Sequence, residues 1–138
     1  MATGKLTARS FGVPADDWHV LQTARPNVLL IGSDAAVTGF LELLRPIVQP
    51  PVIESATGDL TLPSHASGTF ILRDLSRLDA AGQQRLSAWL SESARTTQVI
   101  STSTVPLFPL VERDELSAPL YYSLNVIMLI LRDPSSSR

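Results

Sequence analysis

Two apolar runs end on residues that could handle phosphate. Val28-Leu29-Leu30-Ile31 stops at Gly32-Ser33, with Thr38-Gly39 further on, and Phe70-Ile71-Leu72 stops at Arg73-Asp74. A glycine and a capping serine between a strand and a helix present backbone N–H groups, and such a helix start attracts anions without any lysine. The plainer account of Gly32-Ser33 is an ordinary strand-to-helix turn, and the plainer account of Asp74 is a pairing with Arg73 or Arg77, or solvent. Asp34 and Asp74 with Thr102 or Ser103 make a second constellation, an acidic pocket at three strand ends. The other candidates are thinner. His65 beside Ser64 is a serine-histidine neighbour in a loop where serines are common, and His19 beside Trp18 reads as an exposed or packed helix residue. Two distant histidines and no cysteine make no recognisable metal site.

These residues need a scaffold, and short apolar runs alternating with helical patterns point to an α/β layer fold. Residues 1–15 read as an irregular lead-in. Asp16 or Asp17 is suited to cap a short helix through Trp18, Val20, Leu21 and Ala24. Val28–Ile31 is apolar throughout, as in a strand buried on both faces of a parallel sheet. Ser33 or Asp34 then caps a helix whose Val37, Phe40, Leu41 and Leu44 keep the i, i+3, i+4, i+7 spacing. Val52-Ile53 gives a brief second strand, and a loop rich in Ser, Thr, Gly and Pro leads to a third at Phe70–Leu72. Asp79 caps a helix carrying Leu86, Trp89 and Leu90 that ends near Arg95. Val99-Ile100 starts a fourth strand, and Val126–Leu131 is a fifth, apolar throughout. A Ser-rich tail at 135–138 is read as disordered, which leaves a single domain over 16–134.

The composition agrees. The 138 residues are 44% apolar with a net charge of −2, enough for one core and too little charge to attract nucleic acid or a membrane surface. The eleven basic residues are scattered, so direct nucleic-acid binding is not expected. No apolar run approaches the roughly 20 residues of a membrane helix; with no cysteine there are no disulfides, and nothing suggests secretion. A cytoplasmic protein that does not engage a membrane is the expectation.

A longer pattern is more specific. Ala118-Pro-Leu-Tyr-Tyr-Ser-Leu-Asn-Val126 resembles the Leu-Tyr-Tyr-Arg-Leu-Asn-Val signature of the AAA+ ATPase domain (the sigma-54 interaction domain) of sigma-54-dependent transcription activators. Ser67-Gly-Thr-Phe-Ile-Leu-Arg-Asp74 is similar to the family's Gly-Gly-Thr-Leu-Phe-Leu-Asp-Glu strand, and Leu78–Leu90 to its following Gln- and Leu-bearing helix. The resemblance runs from about Val28 to Arg132. It implies a P-loop NTPase-like three-layer sandwich with a mostly parallel five-stranded sheet in the order 5-1-4-3-2, lacking the helical lid.

Counted on that resemblance, the catalytic positions are substituted. The family's phosphate loop reads G-x-x-x-x-G-K followed by Ser, Thr or Glu; from Gly32, Val37 stands for the second glycine, Thr38 for the lysine and Gly39 for the last position. Arg73 stands for the magnesium-organising aspartate, Asp74 for the glutamate that polarises water, and Thr104 for the sensor asparagine. Ser117 and Ser123 stand for the two arginines that reach a neighbour's nucleotide. The sigma-54 contact loop is absent from the short span between Ile53 and Thr69.

The resemblance therefore implies a bacterial pseudo-ATPase that hydrolyses no ATP and holds no cofactor or metal. It would act through a protein partner, or by self-association, in transcription regulation or two-component signalling. Gly32, Ser33, Thr38, Gly39 and Asp74 are the degenerate nucleotide-binding positions. Two alternatives stand beside this reading: a residual nucleotide or phosphate binder at the Gly32 loop, and a receiver-like phosphoacceptor built on Asp34 and Asp74, for which Arg132 stands where a lysine should end the fifth strand. Tyr121 and Tyr122 are expected to serve packing.

Overall fold

The computed structural model describes residues 6–64, 67–92 and 96–134. Its centre is a parallel sheet of β1 (Val28–Ile31), β2 (Val52–Ala56), β3 (Thr69–Arg73), β4 (Gln98–Ser103) and β5 (Ile127–Ile130). The order is β2-β3-β4-β1-β5, which is 5-1-4-3-2 counted from the other edge, and every pairing is parallel. A receiver domain has the doubly wound order 2-1-3-4-5, so the phosphoacceptor alternative fails on topology.

Strand side chains alternate between faces, and each face has its own core. Val28, Leu30, Ile71, Ile100, Leu129 and Leu131 meet α2 (Asp34–Leu44) and Leu21 of α1 (Ala15–Thr23). Leu29, Ile31, Phe70, Leu72 and Val99 meet α3 (Ala80–Leu90) and α5 (Ala118–Leu124). A one-turn helix, α4 (Phe108–Glu112), lies between β4 and α5. The helix starts follow local chemistry. The Ser33 hydroxyl accepts from the Ala36 N–H (3.1 Å) and the Asp79 carboxylate from the Gly82 N–H (2.8 Å), each satisfying a donor that has no intrahelical partner.

Several expectations are corrected. The lead-in is not irregular throughout: Ala8–Phe11 forms a 3-10 turn, and Phe11 and Val13 are buried against α2. Pro14 occupies the cap of α1, with Asp16 and Asp17 in its first turn, where carboxylates suit the positive end of the helix. Helix α3 stops at Leu90; Arg95 and the 135–138 tail lie outside the described residues. β5 is an edge strand whose alternate residues face solvent, not a strand buried throughout. Helices α4 and α5 were not foreseen at all.

Two side-chain amides, a half-buried Asn27 and a buried Gln83, tie α5 and β5 into place. Asn27 accepts from the Val99 N–H (2.8 Å) and donates to the Ser123 carbonyl (3.0 Å), while its own carbonyl accepts from the Ile127 N–H (3.2 Å). Gln83 on α3 donates to the carbonyls of Leu78 (3.1 Å) and Glu115 (2.9 Å) and accepts from the Ser117 N–H (2.8 Å). Such bonds fix where α5 begins and ends, so that Leu120, Tyr121 and Leu124 enter the core.

Candidate functional site

In a doubly wound parallel sheet, ligands bind at the carboxyl ends of the strands. Here those ends bring together Asp34, Arg73, Asp74, Thr102, Ser103 and Thr104 around a cleft of about 130 Å³. The turn that enters it is short. Helix α2 starts at Asp34, with only Gly32 and Ser33 between it and the end of β1 at Ile31, so Asp34 to Val37 are helical instead of wrapped into a loop. The Val37 N–H donates to the Ser33 carbonyl (2.9 Å) and the Ala36 N–H to the Ser33 hydroxyl. The plainer account of Gly32-Ser33, an ordinary strand-to-helix turn, is what the geometry contains.

Both glycines are accounted for by packing. A Cβ on Gly32 would stand 3.0 Å from the Leu131 Cβ and 3.2 Å from its carbonyl oxygen, closer than side-chain carbons pack. Gly39 does not reach the cleft. It passes under the Phe11 ring, where a Cβ would come within 2.9 Å of a ring carbon.

Arg73 occupies the middle of the site. Its guanidinium donates to Glu54 Oε2 (3.2 Å), Thr38 Oγ1 (3.2 Å) and Asp34 Oδ1 (3.4 Å). Glu54 is held from its other side by the Arg45 guanidinium. Burial disfavours the charged Glu54 carboxylate, but the hydrogen bonds from Arg45 and Arg73 outweigh it and hold Glu54 below the ordinary carboxylate range. The same contact raises Arg45, the Glu54 hydrogen bond being the main cause. The result is a chain of alternating charges from α2 across β2 to the end of β3.

Asp74 is fixed separately. It is a non-glycine residue in the left-handed region (φ 67°, ψ 58°), a conformation that persists only when its surroundings hold it. The Asp74 N–H donates to Thr102 Oγ1 (3.0 Å), its carbonyl accepts from Thr57 Oγ1 (3.0 Å), and its carboxylate accepts from Ser76 Oγ (3.1 Å) and pairs with Arg77 (3.2 Å). The carboxylate is thus turned into its own 3-10 turn, and the hydroxyl of Thr102 is already engaged.

Gly32, Ser33, Thr38 and Asp74 therefore gather at one end of the sheet, and Gly39 does not. Sequence reasoning missed Glu54 and Arg45. The one available signal was a lone carboxylate inside the apolar strand Val52-Ile53-Glu54, which asks for a cationic partner. Ser117 is the cap of α5, its hydroxyl facing the Leu120 N–H (3.4 Å), and Ser123 is exposed. His19 is exposed on α1; His65 lies outside the described residues. Among the described residues no three His, Asp or Glu side chains assemble as metal ligands, and no helix is long and apolar enough to cross a membrane.

No family model and no curated protein matches the chain. Solved structures do. The P-loop NTPase domain of a sigma-54 transport activator from E. coli is 18% identical with a TM-score of 0.58, the match covering 81% of this chain and 94% of that one. NtrX from Brucella abortus, in complex with ADP, is 12% identical with a TM-score of 0.64 over 83% of this chain and 33% of that one. NtrX in complex with ATP is 13% identical at 0.65, with the same coverage. The chain spans about a third of the NtrX structures it matches. Its fold is the α/β sandwich of sigma-54 activator P-loop NTPase domains.

Proposed function

We propose that the chain is a non-catalytic relative of the sigma-54 activator ATPase domains, working in a bacterial cytoplasm through protein contacts in transcription regulation or signalling. The observation that carries this reading is the content of the cleft. A phosphate loop leaves several backbone N–H groups pointing at the ligand. Here the loop positions are the first turn of α2, and the Ala36 N–H is used by Ser33 itself. A nucleotide's phosphates also require a lysine and a divalent cation to offset their charge. Arg73 holds a fixed cation in that space and consumes Asp34 and Glu54, and a guanidinium repels magnesium.

A magnesium nucleotide does not fit these residues. The Asp74 carboxylate, at the edge of the cleft, accepts from Ser76 and pairs with Arg77, contacts that compete with any role in polarising a water. What remains is a sandwich with the activator fold and a self-satisfied cleft, whose use is as a surface. The test is calorimetric and enzymatic. Millimolar ATP with Mg²⁺ should leave the melting temperature unchanged and release no phosphate. A ligand at 100 times its dissociation constant adds about 2.7 kcal/mol, a shift of several degrees, so a saturable rise that disappears in Ala36→Pro would reverse the conclusion.

A further inference from the structure

The two edges of the sheet are finished differently. On the β2 edge, Glu54 sits mid-strand in ion pairs with Arg45 and Arg73, and Pro50-Pro51 precedes the strand. Charges and prolines are the usual guards of an edge against pairing with another chain. On the β5 edge there is neither. From Pro119 to Leu131 no residue is charged, and Val126 (62%), Met128 (43%) and Ile130 (69%) are exposed, with Tyr122 (60%) on the preceding helix.

The backbone of β5 is half used. The Ile127 N–H donates to the Asn27 carbonyl (3.2 Å) and the Leu131 N–H to the Ile31 carbonyl (2.7 Å), so the odd-numbered residues pair with β1. In a parallel ladder the intervening residues point their N–H and C=O the other way. Arg132, next in that series, donates its N–H outward to the Phe11 carbonyl (2.7 Å), which confirms the direction and closes the edge beyond Ile130. Met128 and Ile130 therefore present their backbone groups to the open side. Their side chains lie level with Leu29 and Ile31, so they prolong the α5-side core past the last strand.

We infer that β5 is a self-association edge, and that its occupant is β5 of a second copy of this chain, running antiparallel. A two-fold pairing with Leu129 opposite its counterpart sets Met128 against the other copy's Ile130 and the reverse. Those are the outward-facing residues, so both pairs exchange N–H···O=C bonds and the two sheets become one. The exposed Met128 and Ile130 side chains of both copies then lie side by side on one face. Pairing is confined to Ile127–Leu131 of each copy, because the Phe11 segment occupies the outer side of Arg132, and no charged residue lies within that stretch. A foreign strand would match the edge as well in hydrogen bonding; the uncharged, self-complementary row favours a like partner.

The edge is short, and stable interfaces bury roughly 1,200–2,000 Å²; the dimer is accordingly weak and reversible, with a dissociation constant on the order of 10–1,000 µM. The inference gives the protein-contact reading above a surface and a partner, and rests on it only for its biological use. Sedimentation equilibrium from about 10 µM to 1 mM should pass from monomer to dimer. Ile130→Lys and Ile130→Pro should each hold the chain monomeric at wild-type circular dichroism and unfolding midpoint, since neither the exposed side chain nor the outward N–H serves the monomer. Hydrogen exchange at Met128 and Ile130 should slow as the dimer forms.

A wild-type monomer at the highest concentration, or a dimer that survives both variants, overturns the inference, and a monomer that captures only a foreign strand does so too. Those results would leave the reading of the cleft intact. Nucleotide binding would end that reading and leave the edge untouched.

Discussion

The middles of the strands and their carboxyl ends are held to different standards. In the middle, Leu29, Leu30, Phe70, Ile71, Leu72 and Ile100 are almost wholly excluded from solvent, and every position must fill a volume set by neighbours on both faces. At the ends, the same strands deliver Arg73, Asp74 and Thr102 to a small cleft whose groups are partnered by one another and by solvent. A core tolerates many sequences that keep period and volume, whereas phosphate chemistry depends on single atoms. A fold can therefore remain recognisable by its geometry at 12–18% identity while the strand ends carry an internal ion cluster of this chain's own.

That contrast can be broken in graded steps. Tyr121 is buried on α5, stacked edge-on to Tyr122 and near Phe108, so Tyr121→Ala should cost about 3–5 kcal/mol in chemical denaturation. A wild-type midpoint would place the ring outside the core. Gly39→Ala comes next. Its Cβ meets the Phe11 ring at 2.9 Å, an overpacking worth about 1–3 kcal/mol, of which the better helix propensity of alanine returns up to ~1 kcal/mol. A net gain in stability would mean that Phe11 moves freely.

The cleft should yield less. Glu54 has a folded-state affinity for protons below its unfolded one, so its contribution is present above the ordinary carboxylate pKa of about 4.3. It is lost as pH falls through the lower folded value. Unfolding midpoints should therefore drop more steeply below pH ~4 in the wild type than in Glu54→Gln, and identical acid limbs would show the ion cluster to be energetically silent. The smallest effect belongs to Tyr122→Ala. That ring is exposed, and its loss should stay within about 0.5 kcal/mol; a larger change would join it to the core with Tyr121.

What was legible in the sequence was local. The apolar run of β1, the Ser33 and Asp79 caps and the stripe of α2 are set by period and by side-chain-to-backbone bonds a few residues long. Asp74 was expected beside Arg73 or Arg77, and the short-range contact with Arg77 is present. The α4 and α5 helices escaped because they are only five and seven residues long, too short to show a helical period, and the placement of α5 depends on Gln83 and Asn27, remote in sequence. β5 misled for a related reason: an apolar run reads alike at the centre and at the edge of a sheet, and only strand order decides which faces are covered. In the cleft, Arg73 and Asp74 could be placed at the end of β3, but the bridge from Arg45 through Glu54 to Arg73, Thr38 and Asp34 joins three elements that no spacing rule connects.

The placement of β1 between β4 and β5 also governs how the chain reaches this structure. Val28 is paired with Ile100 on one side and Ile127 on the other, so a strand buried at every position waits for partners about 70 to 100 residues further along the chain. Parallel pairings across such separations must close long loops before any contact rewards them, which makes folding slow. Until Ile127–Ile130 arrives, one flank of β1 has no neighbour in the sheet. Folding of this domain thus depends on β5 for completion.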